Sequence, residues 1–196
     1  MTNTRTLLRR DGRGARRGVP PPARIGAASG LAEQLLAMTP ASARVVAGYW
    51  ASDGEIPLHS WQLRLPAHCT YCLPVLHEDG RLRFAPWRVG DPVVPNRHGI
   101  PEPDVAADAL LMPAQLDLVV VPLVVFDARC HRLGMGGGWY DRSFAFRHQA
   151  PAPPWLVGAA FAFQQSAADL PREDWDVQLD AVCTERATHL RPAEAP

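Results

Sequence analysis

Apolar positions along this chain fall into short blocks with two different periods. Leu116-Asp-Leu-Val-Val-Val-Pro-Leu-Val-Val-Phe126 is almost continuously apolar. Such a run, bounded by turn residues, predicts a strand buried on both faces. Ile25, Leu31, Leu35, Leu36 and Met38 follow helical spacing and predict a helix over 25–38. Further strands are expected at 44–50, 69–76, 82–87, 155–161 and 177–184, with turns at Ser52-Asp-Gly54 and 77–80. Short helices are expected at 59–65 and 141–147. The Pro-rich connection 90–104 reads as irregular structure that lines a pocket. Gly and Pro residues within 12–22 argue against one long helix in the basic segment 1–24. The chain beyond Arg186 reads as frayed. Strands alternating with helices or long connections predict an α/β sheet. With no internal repeat, 1–196 is expected to form a single domain, with 1–24 as a basic arm and 187–196 as a tail.

Composition changes this picture mainly by what it excludes. The chain has 196 residues, a formal net charge of zero and no lysine, so all 20 basic residues are arginine. Zero net charge gives no global attraction to nucleic acid or membrane. Without lysine there is no Walker A loop and no Schiff-base chemistry. Phosphate chemistry would have to use Arg, backbone N–H groups and metal. Cys69 and Cys72 form a C-x-x-C with no second pair to answer it, so the four cysteines are expected to be reduced thiols. No stretch is long and apolar enough to span a bilayer, and no secretory signal is expected, since the basic start lacks an apolar core after it. A cytoplasmic, monomeric protein is expected.

The strongest candidate chemistry follows the apolar run. Arg132-Leu-Gly-Met-Gly-Gly-Gly-Trp-Tyr-Asp-Arg142 holds four glycines in five positions. Glycine lets backbone N–H groups converge on one point, and such nests bind anions, phosphate above all. The loop fails as a dinucleotide fingerprint, because Trp139 stands where the third glycine belongs. The lesser alternative is a turn that lets two elements pack closely. Asp141 beside a phosphate nest suggests an intervening cation, with Asp176 as a second ligand, since Mg²⁺ takes few carboxylates plus phosphate oxygens and water. A helix cap at Asp141 and a solvated loop at Asp176 are the plain alternatives. Arg5 and Arg9, at i,i+4, would share a helix face and clamp phosphate, or form a solvated arm. Trp50 and Glu55 lie just beyond a strand and could stack on and hydrogen-bond a heterocycle. Core packing for Trp50 and an exposed turn for Glu55 are their alternatives. His131 is expected to be exposed.

These pieces, in this order, resemble the 5-formyltetrahydrofolate cyclo-ligase family. Asp117–Asp127 continuing into Arg132–Arg142 is the most specific part. Asp53-Gly-Glu55, Leu73-Pro-Val75, Gly99-Ile-Pro-Glu-Pro103, Leu170-Pro171, Asp176-Val177, Thr184-Glu185 and Arg5-x-x-Leu8-Arg9 support it. The resemblance implies a three-layer, open, mostly parallel α/β sheet with helices on both faces, Rossmann-like in form. It implies ATP- and Mg²⁺-dependent conversion of 5-formyltetrahydrofolate to 5,10-methenyltetrahydrofolate, ADP and phosphate. Carried onto this chain, Arg5, Arg9, Arg132, Leu133 and Gly134–Tyr140 would contact ATP. Asp141 and Asp176 would hold Mg²⁺. Trp50, Glu55, Met135, Gly136, Gly137, Gly138 and Trp139 would border the folate. No side chain is assigned as a nucleophile. The chain departs from the family pattern at Pro57-Leu58, where a hydroxyl is lost, at Cys130, where glycine is usual, and at Trp139, where Tyr or Phe is usual. A non-catalytic folate or nucleotide regulator, and an RNA-binding protein using the Arg-rich arm, are the alternative readings.

Overall fold

Seven strands hydrogen-bond into one sheet. In the computed structural model, residues 4–193 are described. Helix α1 (Thr4–Arg17) and helix α2 (Pro21–Met38) precede strand β1 (Val45–Ala47) and the short helix α3 (His59–Gln62). Strands β2 (Thr70–Leu76), β3 (Leu82–Pro86), β4 (Val93–Pro95) and β5 (Pro101–Pro103) follow. Then come β6 (Leu118–Pro122), β7 (Val125–Phe126), β8 (Arg132–Leu133) and helix α4 (Trp139–Ser143). Strands β9 (Trp155–Ala159), β10 (Ala181–Cys183) and β11 (Thr188–Leu190) complete the order.

The main sheet runs β11-β10-β9-β6-β1-β2-β3. Its five inner strands are parallel, and the edges β3 and β11 are antiparallel to their neighbours. Successive side chains of a strand face opposite sides, and β6 shows the consequence. Leu118 and Val120 join the core with Leu31 and Leu35 of α2, Trp61 of α3 and Val46 of β1. Val119 and Val121 join the opposite core with Phe84, Phe126, Phe144 and Val182. Both faces are covered, so the strand is apolar throughout. The expected three-layer α/β fold is the one observed.

Several local expectations change. The apolar run is not one strand: it breaks at Leu123-Val124, and β7 leaves the main sheet to pair with β8. Residues 93–95 and 101–103, expected to be irregular, pair as the β4–β5 hairpin. Residues 188–190, expected to fray, form β11 on β10. The last three residues of that tail, and the first three of the arm, lie outside the described residues.

The basic arm is the largest change. Helix α1 runs through Gly12 and Gly14, and the chain breaks only at Gly18–Pro20 before Pro21 and Pro22 start α2. Proline in the first helical turn forfeits no intrahelical bond. The face that α1 presents inward carries Arg5, Leu8, Arg9, Gly12 and Arg16. Leu8 packs on Val124, Val125 and Leu133. A Cβ on Gly12 would lie 2.8 Å from Val124 Cγ1 and 2.9 Å from the Val124 carbonyl oxygen. Glycine at this point sets how closely α1 approaches the sheet. Cys130, where the family pattern has glycine, does adopt a left-handed backbone with φ of 61°, a conformation costly for a residue with a Cβ. Its thiol donates to the His189 carbonyl at 3.3 Å.

Candidate active site

The chain switches direction across the sheet at β1: the connection to β2 goes one way, while β6, β9 and β10 lie the other. A switch point opens a crevice beyond the carboxyl ends of the strands. A cavity of about 860 Å³ occupies that position, reaching from Tyr49 and Glu55 beyond β1 to the glycine loop beyond β8.

One end is built by the turn after β1. Asp53 and Gly54 have φ of 48° and 81°, which folds Glu55 back on Ser52. The Glu55 N–H bonds the Ser52 carbonyl, and the Ser52 N–H donates to Glu55 Oε2 at 2.9 Å. Glu55 is buried, not an exposed turn residue. Desolvation pushes its carboxyl above the ordinary range, against the Ser52 N–H and Arg16, which pull it down. The Tyr49 hydroxyl donates to the Ile56 carbonyl at 2.7 Å. Trp50 is not core: it is 36% exposed and stands edge-on to Trp87, ring centroids 5.5 Å apart, as an apolar wall. Leu58, at the departure Pro57-Leu58, is buried in the core beneath α2, so the missing hydroxyl is replaced by packing.

The other end is delivered by the β7–β8 hairpin, which separates the glycine loop from β6. Arg132 is buried on β8, donating to the Val177 carbonyl at 2.5 Å and to Asp141 Oδ1 at 2.8 Å. Asp141 Oδ1 also accepts from the Val177 N–H at 3.1 Å, so Asp141 ties loop segments together and does not cap α4. The residue preceding α4 is Gly138, with φ of 66°. Asp176 is not a solvated loop residue. Arg5 grips it with two bonds, of 2.8 and 3.1 Å, and the Glu173 N–H adds a third. That gripping lowers the Asp176 carboxyl against desolvation, which raises it. Arg9 donates from Nε to the Gly134 carbonyl at 2.9 Å. Among the described residues its two terminal nitrogens have no hydrogen-bond partner.

Arg5, Arg9, Trp50, Glu55, Arg132, Gly134–Tyr140, Asp141 and Asp176 therefore border one cavity. Leu133 points elsewhere, into the cluster under α1. Tyr140 carries a phenol raised by desolvation and, secondarily, by Glu55. Trp139, where the family pattern has Tyr or Phe, lies under the guanidiniums of Arg97 and Arg142 at 5.0 and 5.3 Å. Among the described residues no group of three or more His, Cys, Asp or Glu side chains is arranged to hold a metal ion. His131 is largely buried and bonds Asp127 at 3.2 Å, not exposed as expected. The four cysteines are free thiols, with Cys72 pushed up to about 12 by burial.

A family model, the 5-formyltetrahydrofolate cyclo-ligase family, matches residues 1–185. The chain belongs to this family. A 5-formyltetrahydrofolate cyclo-ligase of Escherichia coli K12 is 39% identical over 148 residues, covering 72% of this chain and 78% of that protein. The one from Haemophilus influenzae is 37% identical over 140 residues, covering 70% and 73%. A solved 5,10-methenyltetrahydrofolate synthetase of Aquifex aeolicus superposes with a TM-score of 0.76 at 24% identity, over 99% of this chain and 96% of the other. That of Mycoplasma pneumoniae gives 0.72 at 22% identity, over 93% and 99%. These two bear on the fold.

Two residues beside this cavity escape a reading by pattern. Arg16 is completely buried. Its guanidinium donates to the Asp53 carbonyl and carboxylate at 2.8 and 2.7 Å and to the Leu123 carbonyl at 3.0 Å, and it touches Met135 Sδ at 3.3 Å. Asp53 gathers Arg13, Arg16 and Arg17, which together hold its carboxyl well below the usual range against a desolvation that opposes them. The available signal was phase: Arg16 lies eleven residues after Arg5, three helical turns on the same face.

Proposed function

We propose that this chain closes 5-formyltetrahydrofolate to 5,10-methenyltetrahydrofolate, using ATP and Mg²⁺ and releasing ADP and phosphate. Family membership supports the ligase reaction. The observation that carries the ATP part is Arg9: a half-buried cation held against the glycine loop, its terminal nitrogens unpaired among the described residues. Two adjacent donors of a guanidinium match two phosphate oxygens. Arg5 and Arg132 bring further positive charge to the same end of the cavity.

Asp141 and Asp176 fit Mg²⁺ in kind. They are hard oxygen ligands beside a phosphate nest, and this cation needs only one or two carboxylates when phosphates and water complete its shell. When bound it would neutralise charge on the transferring phosphoryl group. Asp141 Oδ2 has no bond among the described residues, while Asp176 would have to share its oxygens with Arg5.

A formamide oxygen is a poor leaving group. Transfer of the γ-phosphoryl group to it produces an imidate-like phosphate, whose carbon N10 of the folate attacks. The ring closes and phosphate departs with the oxygen. Phosphoryl transfer needs positioning and charge neutralisation more than a protein nucleophile. Arg5, Arg9 and the loop N–H groups would align the phosphates. Glu55 and Trp50 would hold the folate at the opposite end, with Met135 and Trp139 bordering both ligands.

Absorbance of the methenyl product tests this, with purified protein, 5-formyltetrahydrofolate, ATP and Mg²⁺. Product only in the complete mixture is expected. A folded protein that binds ATP and yields none would instead be a folate or nucleotide regulator. The RNA-binding alternative loses its basis, because Arg5, Arg13, Arg16 and Arg17 pair with the chain's own carboxylates.

A further inference from the structure

Glu102 lies on β5, within the Gly99–Pro103 motif, and lines the cavity near Leu76 and Ile100. It is only 8% exposed. Its Oε1 accepts from the Leu76 N–H at 2.9 Å and from the Asn96 side-chain amide at 2.8 Å. Those two donors fill that oxygen's lone pairs. Among the described residues nothing hydrogen-bonds to Oε2, and no Arg or His forms an ion pair with this carboxylate. Glu55, by contrast, has Arg16 at 3.6 Å. Oε2 is left open to the cavity, where the donors of a ligand can reach it. The surrounding wall of Pro74, Leu76, Leu82, Ile100 and Pro101 is apolar and suits the face of a flat ring.

We propose that Glu102 recognises the pterin end of the folate, Oε2 accepting from the 2-amino group and N3–H of the ring. This rests on the cyclo-ligase reading. That edge is where the substrate carries two adjacent donors, matching the two lone pairs of Oε2. The glutamate end is anionic and would be repelled. Oε1 is held by the β2 backbone and by Asn96, so the acceptor is fixed in place before substrate arrives. The residue thus selects a 2-amino ring, while the phosphate end of the cavity handles the chemistry.

The test compares wild type and Glu102→Gln with 5-formyltetrahydrofolate and with its 2-desamino analogue. Gln keeps a carbonyl oxygen for Leu76 and Asn96 and withdraws the charged acceptor from the ring. For the natural substrate, KM should rise roughly 10- to 100-fold, the usual range for a hydrogen bond to a charged group. ATP KM and melting temperature should hold. Wild type should lose a similar factor on the desamino analogue, and Glu102→Gln should barely distinguish the two substrates. Equal discrimination by both proteins, or no discrimination by wild type, overturns the assignment. Where that variant fails to fold, an absence of discrimination by wild type still overturns the assignment. Absence of methenyl product from wild type with the natural substrate would instead overturn the cyclo-ligase reading, and this assignment with it.

Discussion

Arg16 of α1 and Glu55 of the turn beyond β1 lie 3.6 Å apart, with side-chain exposures of 1% and 9%. The same guanidinium bonds Asp53, the Leu123 carbonyl and the Met135 sulfur. One side chain thus joins the N-terminal helix, the end of β6, the Glu55 turn and the glycine loop. Arg16→Met removes the cation and leaves two carboxylates behind. Breaking a buried pair from one side costs about 3–5 kcal/mol. Urea unfolding should show a loss of that order, with a raised folate KM. A loss below about 1 kcal/mol, the scale of an exposed pair, would refute the buried-pair account.

Glu55 makes the pH dependence specific. Desolvation raises its carboxyl above the ordinary 4.5, so the folded state prefers the protonated form. Its contribution to stability is full below that unfolded value and is lost as pH rises through the raised folded value. Glu55→Gln should therefore raise the melting temperature at neutral pH, with the gain vanishing below about pH 4.5. It should also weaken folate use while leaving ATP binding unchanged. The acidic limb of kcat/KM for folate should lie above the ordinary carboxylate range and disappear in the variant. A limb that persists in Glu55→Gln belongs to another group.

Asp141 ties Arg132 to the backbone of Val177, and among the described residues its Oδ2 has no bond. Asp141→Asn should lower turnover by at least the roughly 10- to 100-fold typical of groups that support a metal site. The Mg²⁺ concentration giving half-maximal rate should rise. An unchanged Mg²⁺ dependence would restrict Asp141 to holding Arg132.

Two glycines of α1 make a matched pair. Adding a Cβ at Gly12 would press it into Val124 and Val125, whereas at Gly14 it meets nothing within 4 Å. Alanine gains about 1 kcal/mol of helix propensity over glycine at either site. Overpacking at Gly12 costs about 1–3 kcal/mol, so Gly12→Ala should be neutral to destabilising and Gly14→Ala stabilising. Because α1 carries Arg5 and Arg9, Gly12→Ala should also raise ATP KM. Thermal melts and ATP titrations of both variants would show it, and a stabilised Gly12→Ala with normal ATP KM would contradict the close approach.

What could be read without coordinates was local or periodic. The doubly buried β6, the α2 stripe and the glycine loop announce themselves because side chains two or three to four positions apart share a face. Motif order supplied the family and the residues around the cavity. The structure was needed wherever burial comes from partners distant in sequence. An arm with arginines and glycines has no apolar stripe, so α1 looks solvated until Asp53, Asp176 and the Val124 backbone stand opposite it. The β4–β5 hairpin and β11 depend on neighbouring strands, and Pro-rich or terminal sequence carries little signal of its own. Arg16, Asp53 and Glu102 are ordinary charged residues in the sequence. Only the packing that strips water from them, and decides which of their atoms are paired and which face the cavity, distinguishes them.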